Sequence, residues 1–82
     1  MEKQEKKVVI YSTPTCHFCV MAKDYFEEKG IEYTDYNVAE DQVKGAEMVQ
    51  KTGQMGVPVI VIGEEFIIGF DRPRINELLG IS

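Results

Sequence analysis

Residues 8–12 read VVIYS, a continuous run of β-branched and aromatic side chains with no polar alternation. Such a run suits a strand buried on both faces, which belongs in the middle of a sheet covered by helices. The neighbouring segments narrow the choice. Thr13-Pro14-Thr15 is a turn sequence, and from about His17 to Lys29 apolar residues recur at helical spacing, with Gly30 as the stop. Residues 31–38 alternate imperfectly and read as a second strand. A strand, a helix and a strand in succession pair in parallel through a right-handed crossover.

Downstream, Glu40 to about Thr52 predicts a polar-faced helix ended by Gly53. VPVIVI at 57–62, a short GEE turn and FII at 66–68 predict a hairpin, and a closing helix runs from Arg72 or Pro73 to Leu79. The hairpin adds an antiparallel half to the same sheet. The expected fold class is therefore α/β, of order βαβαββα, with a mixed four-stranded sheet flanked by three helices. At 82 residues the chain has room for one domain, 1–82, whose opening residues 1–6 read as a polar, solvated arm. Proline is nearly excluded from central strands, so Pro58 is expected at the first residue of its strand. On a helical wheel at about 100° per residue, Phe18, Met21, Ala22, Tyr25 and Phe26 share one arc of the first helix. Lys23, Asp24, Glu27 and Glu28 share the other, and Cys19 lies at the apolar edge.

A net charge of -5 leaves no basic footprint for a phosphate backbone, so nucleic acid is not an expected partner. No apolar run is long enough for a signal peptide or a membrane span, which points away from membranes and to a cytoplasmic location. Thiols stay reduced there, so a cysteine pair is better suited to catalysis or metal binding than to a structural bridge. Nothing indicates a large exposed apolar face, and a monomer is expected.

The two cysteines stand in TPTCHFC, residues 13–19. A bridge between Cys16 and Cys19 would enclose almost no chain and stabilise little. Cys16 falls where a loop becomes a helix, so unpaired N–H groups and the positive end of the helix dipole face its sulfur. Such surroundings, in Cys-x-x-Cys settings, lower a cysteine pKa from about 8.5 to between roughly 3.5 and 7.5. Cys16 is thus the expected nucleophile, and Cys19, turned toward the apolar arc, the expected resolving thiol. A metal reading offers two thiols and one imidazole where structural zinc usually takes four protein ligands, so no metal is expected. His17 is better read as an exposed tuning residue than as a base, because adjacent helical side chains diverge and a cation is disfavoured at a positive helix end. Phe18 is either an apolar lip for substrate or a packing residue.

Joined by TGQMGVP before a hydrophobic strand and IGFD after the hairpin, CHFCVMAKDYFEEKGI resembles the glutaredoxins, over about Lys7 to Gly80. The resemblance implies a thioredoxin-like fold. It implies a dithiol–disulfide oxidoreductase that reduces protein disulfides or glutathione mixed disulfides, with glutathione as co-substrate and no tightly bound cofactor. It also implies a cis bond at Pro58, leaving the Val57 backbone free beside the cysteines to hold an extended substrate. By the same resemblance Thr13, His17, Phe18, Val57, Pro58, Gly69, Phe70 and Asp71 are the expected contacts for glutathione or peptide.

Several positions depart from the glutaredoxin pattern. Thr13 stands where a basic residue holds glutathione, and Met55-Gly56 replace Arg-Thr. Gly69-Phe70 replace a Gly-Gly pair, and Asp71 lies at least one position ahead of the acid that meets the glutathione amine. Asp71, just before Arg72-Pro73, also suits a helix N-cap. The Gly-Phe pair is similar to small glutaredoxin-like proteins that are reduced by thioredoxin reductase and supply ribonucleotide reductase. One alternative is therefore an electron donor coupled to thioredoxin reductase. The other is a dimer sharing an iron–sulfur cluster or zinc through Cys16 of each chain. Lys23, one helical turn past Cys19, either adds positive potential near the thiolate or is a plain exposed lysine, the safer reading.

Overall fold

Residues Val8–Ser12 form β1, which the computed structural model places between a parallel and an antiparallel neighbour. The structure describes residues 6–54 and 56–81, so Met55 and residues 1–5 of the expected arm lie outside the described residues. After β1 come α1 (His17–Glu28), β2 (Thr34–Asn37), α2 (Gln42–Thr52), β3 (Val59–Ile62), β4 (Glu65–Ile68) and α3 (Arg72–Leu79). The sheet order is β2-β1-β3-β4, with only the β1–β2 pair parallel. This is the expected βαβαββα fold with its mixed four-stranded sheet.

Strand register explains the two cores. Val8 lies opposite Ile62 and Ile10 opposite Ile60, so these side chains share one face, where Ala22, Tyr25 and Phe26 of α1 and Ile75 of α3 cover them. Tyr11 lies opposite Val59 on the other face, where Met48 of α2 packs. Both central strands are buried on both sides, as a run without polar alternation requires. Among the described residues no helix is long and apolar enough to cross a membrane.

Several boundaries differ from the sequence reading, each for a local reason. The second strand begins at Thr34 instead of Ile31, because the end of α1 uses the intervening backbone. Gly30 N–H donates to Glu27 C=O at 3.2 Å and Ile31 N–H to Phe26 C=O at 2.8 Å, a Schellman turn that satisfies otherwise unpaired helix carbonyls. Helix α2 begins at Gln42 instead of Glu40, because the Asp41 carboxylate caps it by accepting the Lys44 N–H at 3.1 Å. Pro58 precedes β3 by one residue and does not begin it.

The apolar arc of α1 is also displaced. Its buried residues are Cys19, Ala22, Tyr25 and Phe26, so Cys19, at the edge of the arc, is buried with it. Met21 lies off that stripe and is 38% exposed. Phe18, in the first helical turn, is 57% exposed.

Candidate active site

The loop between β1 and α1 delivers Cys16 to the start of the helix with φ -86 and ψ 113, an extended conformation outside the helical region. Cys16 is the N-cap of α1, and its sulfur accepts the Cys19 N–H at 3.1 Å. That position usually carries the oxygen of Ser, Thr, Asp or Asn. A sulfur there takes a hydrogen bond from the helix end. The Cys16 N–H in turn donates to the Thr13 carbonyl at 3.3 Å, which closes the turn.

Both thiols are free, but their surroundings differ. Cys16 is partly exposed, whereas Cys19 is 0% exposed. Burial pushes the Cys19 thiol from its ordinary 9.0 up to about 12, and the hydrogen bond it shares with Cys16 acts in the same direction. At neutral pH Cys19 is therefore a protonated thiol against the core.

Antiparallel register brings the rest of the site together. Tyr11 pairs with Val59, so Pro58 and Val57, the residues before β3, run alongside the end of β1 that leads into the cysteine turn. The Val57–Pro58 bond is cis, as expected, and the paired part of β3 starts only at Val59. Pro58 is buried, and Val57 packs against the Tyr11–Met48–Val59 cluster. Gly69 continues the β3–β4 pairing by donating its N–H to the Pro58 carbonyl at 2.8 Å. It does so at φ +91, a conformation open to glycine and costly for other residues. Thr13, Cys16, Cys19, Val57, Pro58 and Gly69 thus converge at one end of the sheet.

The remaining expected contacts are placed differently. His17 and Phe18 both point to solvent, their rings edge to face with centroids 5.8 Å apart. Phe70 turns to the α1 side, edge to face with Tyr25 at 5.9 Å. There it lines a shallow groove with Met21, Asp24, Tyr25, Glu28 and Arg72. The Asp71 carboxylate accepts the Arg74 N–H at 3.3 Å and caps α3, so the capping role anticipated for it is realised.

Sequence reasoning missed two features. One is the Phe70 groove, whose walls come from segments far apart in the chain. The other is Asp35, which joins Lys23 and Ser12 through its two carboxylate oxygens. Lys23 is therefore an ion-paired residue and not a freely solvated one. Among the described residues no group of three or more His, Cys, Asp or Glu side chains is arranged to hold a metal ion.

Comparison with known proteins points to one family. The glutaredoxin family model matches residues 8–67. The chain is 43% identical over 72 residues to a glutaredoxin-like 8.6 kDa protein in a rubredoxin operon of Clostridium pasteurianum, covering 88% of this chain and 96% of that protein. It is 36% identical over 73 residues to a glutaredoxin of Pseudomonas aeruginosa, covering 89% and 87%. Among solved structures, it superposes on the glutaredoxin-like protein NrdH-redoxin from Escherichia coli with a TM-score of 0.73, at 30% identity, covering 88% of this chain and 93% of that one. With a family model matched across most of its length and relatives at this identity, the chain belongs to the glutaredoxin family.

Proposed function

We propose that this glutaredoxin-family protein is a dithiol–disulfide oxidoreductase, with Cys16 as the attacking thiolate and Cys19 as the resolving thiol. Cys16 Sγ attacks one sulfur of a substrate disulfide; that S–S bond breaks, a mixed disulfide forms, and the departing thiolate takes up a proton. Cys19 then loses its proton, attacks Cys16 Sγ and expels the second substrate thiolate. The substrate gains two electrons and the protein is left as the Cys16–Cys19 disulfide. The observation that carries this reading is the asymmetry of the pair. The Cys16 sulfur is partly exposed and accepts an N–H at the start of α1, while the Cys19 thiol is buried and held protonated. The backbone of Val57, which precedes the paired part of β3 and lies next to the cysteine turn, suits an extended peptide laid alongside.

Substrates of this kind are protein disulfides and glutathione mixed disulfides. For the reductant, two features favour thioredoxin reductase over glutathione. Phe70 places a ring against Tyr25 where a Gly-Gly pair has no side chain, and Thr13 supplies no positive charge. NrdH-redoxin, 30% identical, is described as a glutaredoxin-like protein with a thioredoxin-like activity profile. The test is an NADPH-coupled assay run with glutathione plus glutathione reductase, and separately with thioredoxin reductase. Faster turnover through thioredoxin reductase is expected; faster turnover through glutathione reverses the choice of reductant. Activity with neither, in protein whose thiols are reduced, rejects the oxidoreductase assignment.

A further inference from the structure

The turn at residues 13–15 carries the chain from β1 to α1, and a single carboxylate ties the two sides of that turn together. Asp35 pairs with Ile10 in parallel register, so its side chain lies on the sheet face that carries Ser12 and is covered by α1. Ser12, 2% exposed, donates its hydroxyl to one Asp35 oxygen at 2.6 Å. The Lys23 ammonium, one helical turn past Cys19, donates to the other oxygen at 3.0 Å. A lone surface ion pair contributes little, because two long side chains must be immobilised to make it. Here the carboxylate is already fixed by a short charge-assisted bond to a buried hydroxyl, so less freedom remains to be lost when Lys23 docks.

That placement matters for Cys19. Among the described residues, the ionisable groups that act on it are Cys16 on the turn and Lys23 on its own helix, the latter paired with Asp35 on β2. Burial and the hydrogen bond with Cys16 both oppose ionisation of Cys19, whereas the Thr13 backbone and the Lys23 ammonium favour it. Yet ionisation is what resolution requires. We propose that Lys23, pinned by Asp35 and Ser12, is a positioning residue for the second half of the exchange, its ammonium favouring the Cys19 thiolate that attacks the Cys16 mixed disulfide. This rests on the roles proposed for Cys16 and Cys19. In the step concerned, the Cys19 proton goes to solvent, the Cys19–Cys16 bond forms, and the bond from Cys16 to the substrate sulfur breaks. The substrate leaves as a thiolate, carrying the electron pair of the broken bond, and the protein pair is oxidised to the disulfide.

The test is stopped-flow reaction of the reduced protein with dithionitrobenzoate, an aromatic disulfide that releases one coloured thiolate when Cys16 attacks and a second when Cys19 resolves the adduct. In Lys23→Met the second release is expected to slow by about two- to tenfold relative to the first. Tenfold corresponds to one pKa unit, and exposure of the pair to solvent reduces it. The pH profile of that second phase moves to higher pH, and Lys23→Arg restores it. Asp35→Asn keeps an acceptor for Ser12 but releases the ammonium, and is expected to slow the second phase as well. Equal effects on both phases, or none, in Lys23→Met overturn the inference. A second phase in Asp35→Asn as fast as in the unmodified protein, or faster, removes Asp35 from it. Failure of the underlying assignment looks different: Cys16→Ser would keep a first release and Cys19→Ser would lose it.

Discussion

At the scale of single residues, the two thiols are of different kinds. Cys16 stands at a helix N-cap with its sulfur in reach of an N–H, while Cys19 is fully buried on the inner face of α1. Alkylation of the reduced native protein with iodoacetamide near neutral pH is expected to label Cys16 alone, with Cys19 reacting only after denaturation; peptide mapping by mass spectrometry reads the outcome. Cys19→Ser should accumulate a stable glutathione adduct on Cys16 when treated with glutathione disulfide, and Cys16→Ser should form none. The place of Cys16 at the start of α1 was legible in TPTCHFC because a helix start is a local event. The pairing of Lys23 was not, since its partner Asp35 is 12 residues away and reaches it only through the β1–β2 register.

At the scale of elements, helix ends account for most of the boundaries. Asp41 and Asp71 cap α2 and α3, and Cys16 caps α1. Asp71→Ala is expected to lower stability by about 1 kcal/mol in chemical denaturation, while Asp71→Asn, which still caps, should stay within a few tenths. If Asp71 also meets the glutathione amine, Asp71→Asn will raise KM for glutathione despite keeping the fold; a cap alone predicts an unchanged KM. Helical spacing located α1 but placed Phe18 and Met21 in its apolar stripe, whereas both are exposed. A wheel assigns every apolar residue in one arc to the core, but Met21 falls beside the buried stripe and Phe18 at its N-terminal end.

For the whole molecule, the sheet is stabilised from both faces, so its central strands tolerate little. Ile60, fully buried where β3 packs beneath the helices, should cost about 2–5 kcal/mol when changed to Ala. High pH reaches the fold through groups that include Cys19 and Tyr33. Burial raises Cys19 from 9.0 to about 12, and burial with the hydrogen bond to Glu27 raises Tyr33 from 10.0 to about 12. Each folded value exceeds the unfolded one, so the folded state holds its protons more tightly. The associated stability is complete below about pH 9 and is lost as pH rises toward 12. Thermal unfolding should therefore show a falling Tm above pH 9, with a shallower fall in Tyr33→Phe; a flat Tm across that interval contradicts the origin assigned to it.

The order of elements, the central place of β1, the helix start at Cys16 and the family are legible in the chain alone, because each depends on short local motifs. Tertiary structure decided the rest. The full burial of Cys19, the exposure of Phe18, the turn of Phe70 toward Tyr25 and the Ser12–Asp35–Lys23 connection all depend on which segments lie side by side. Hydrogen-bonding and dipolar effects at a helix end act within one turn and can be read from a motif. Desolvation and ion pairing act between chain segments, so their strength at the two sulfurs is set only when the sheet brings those segments into contact.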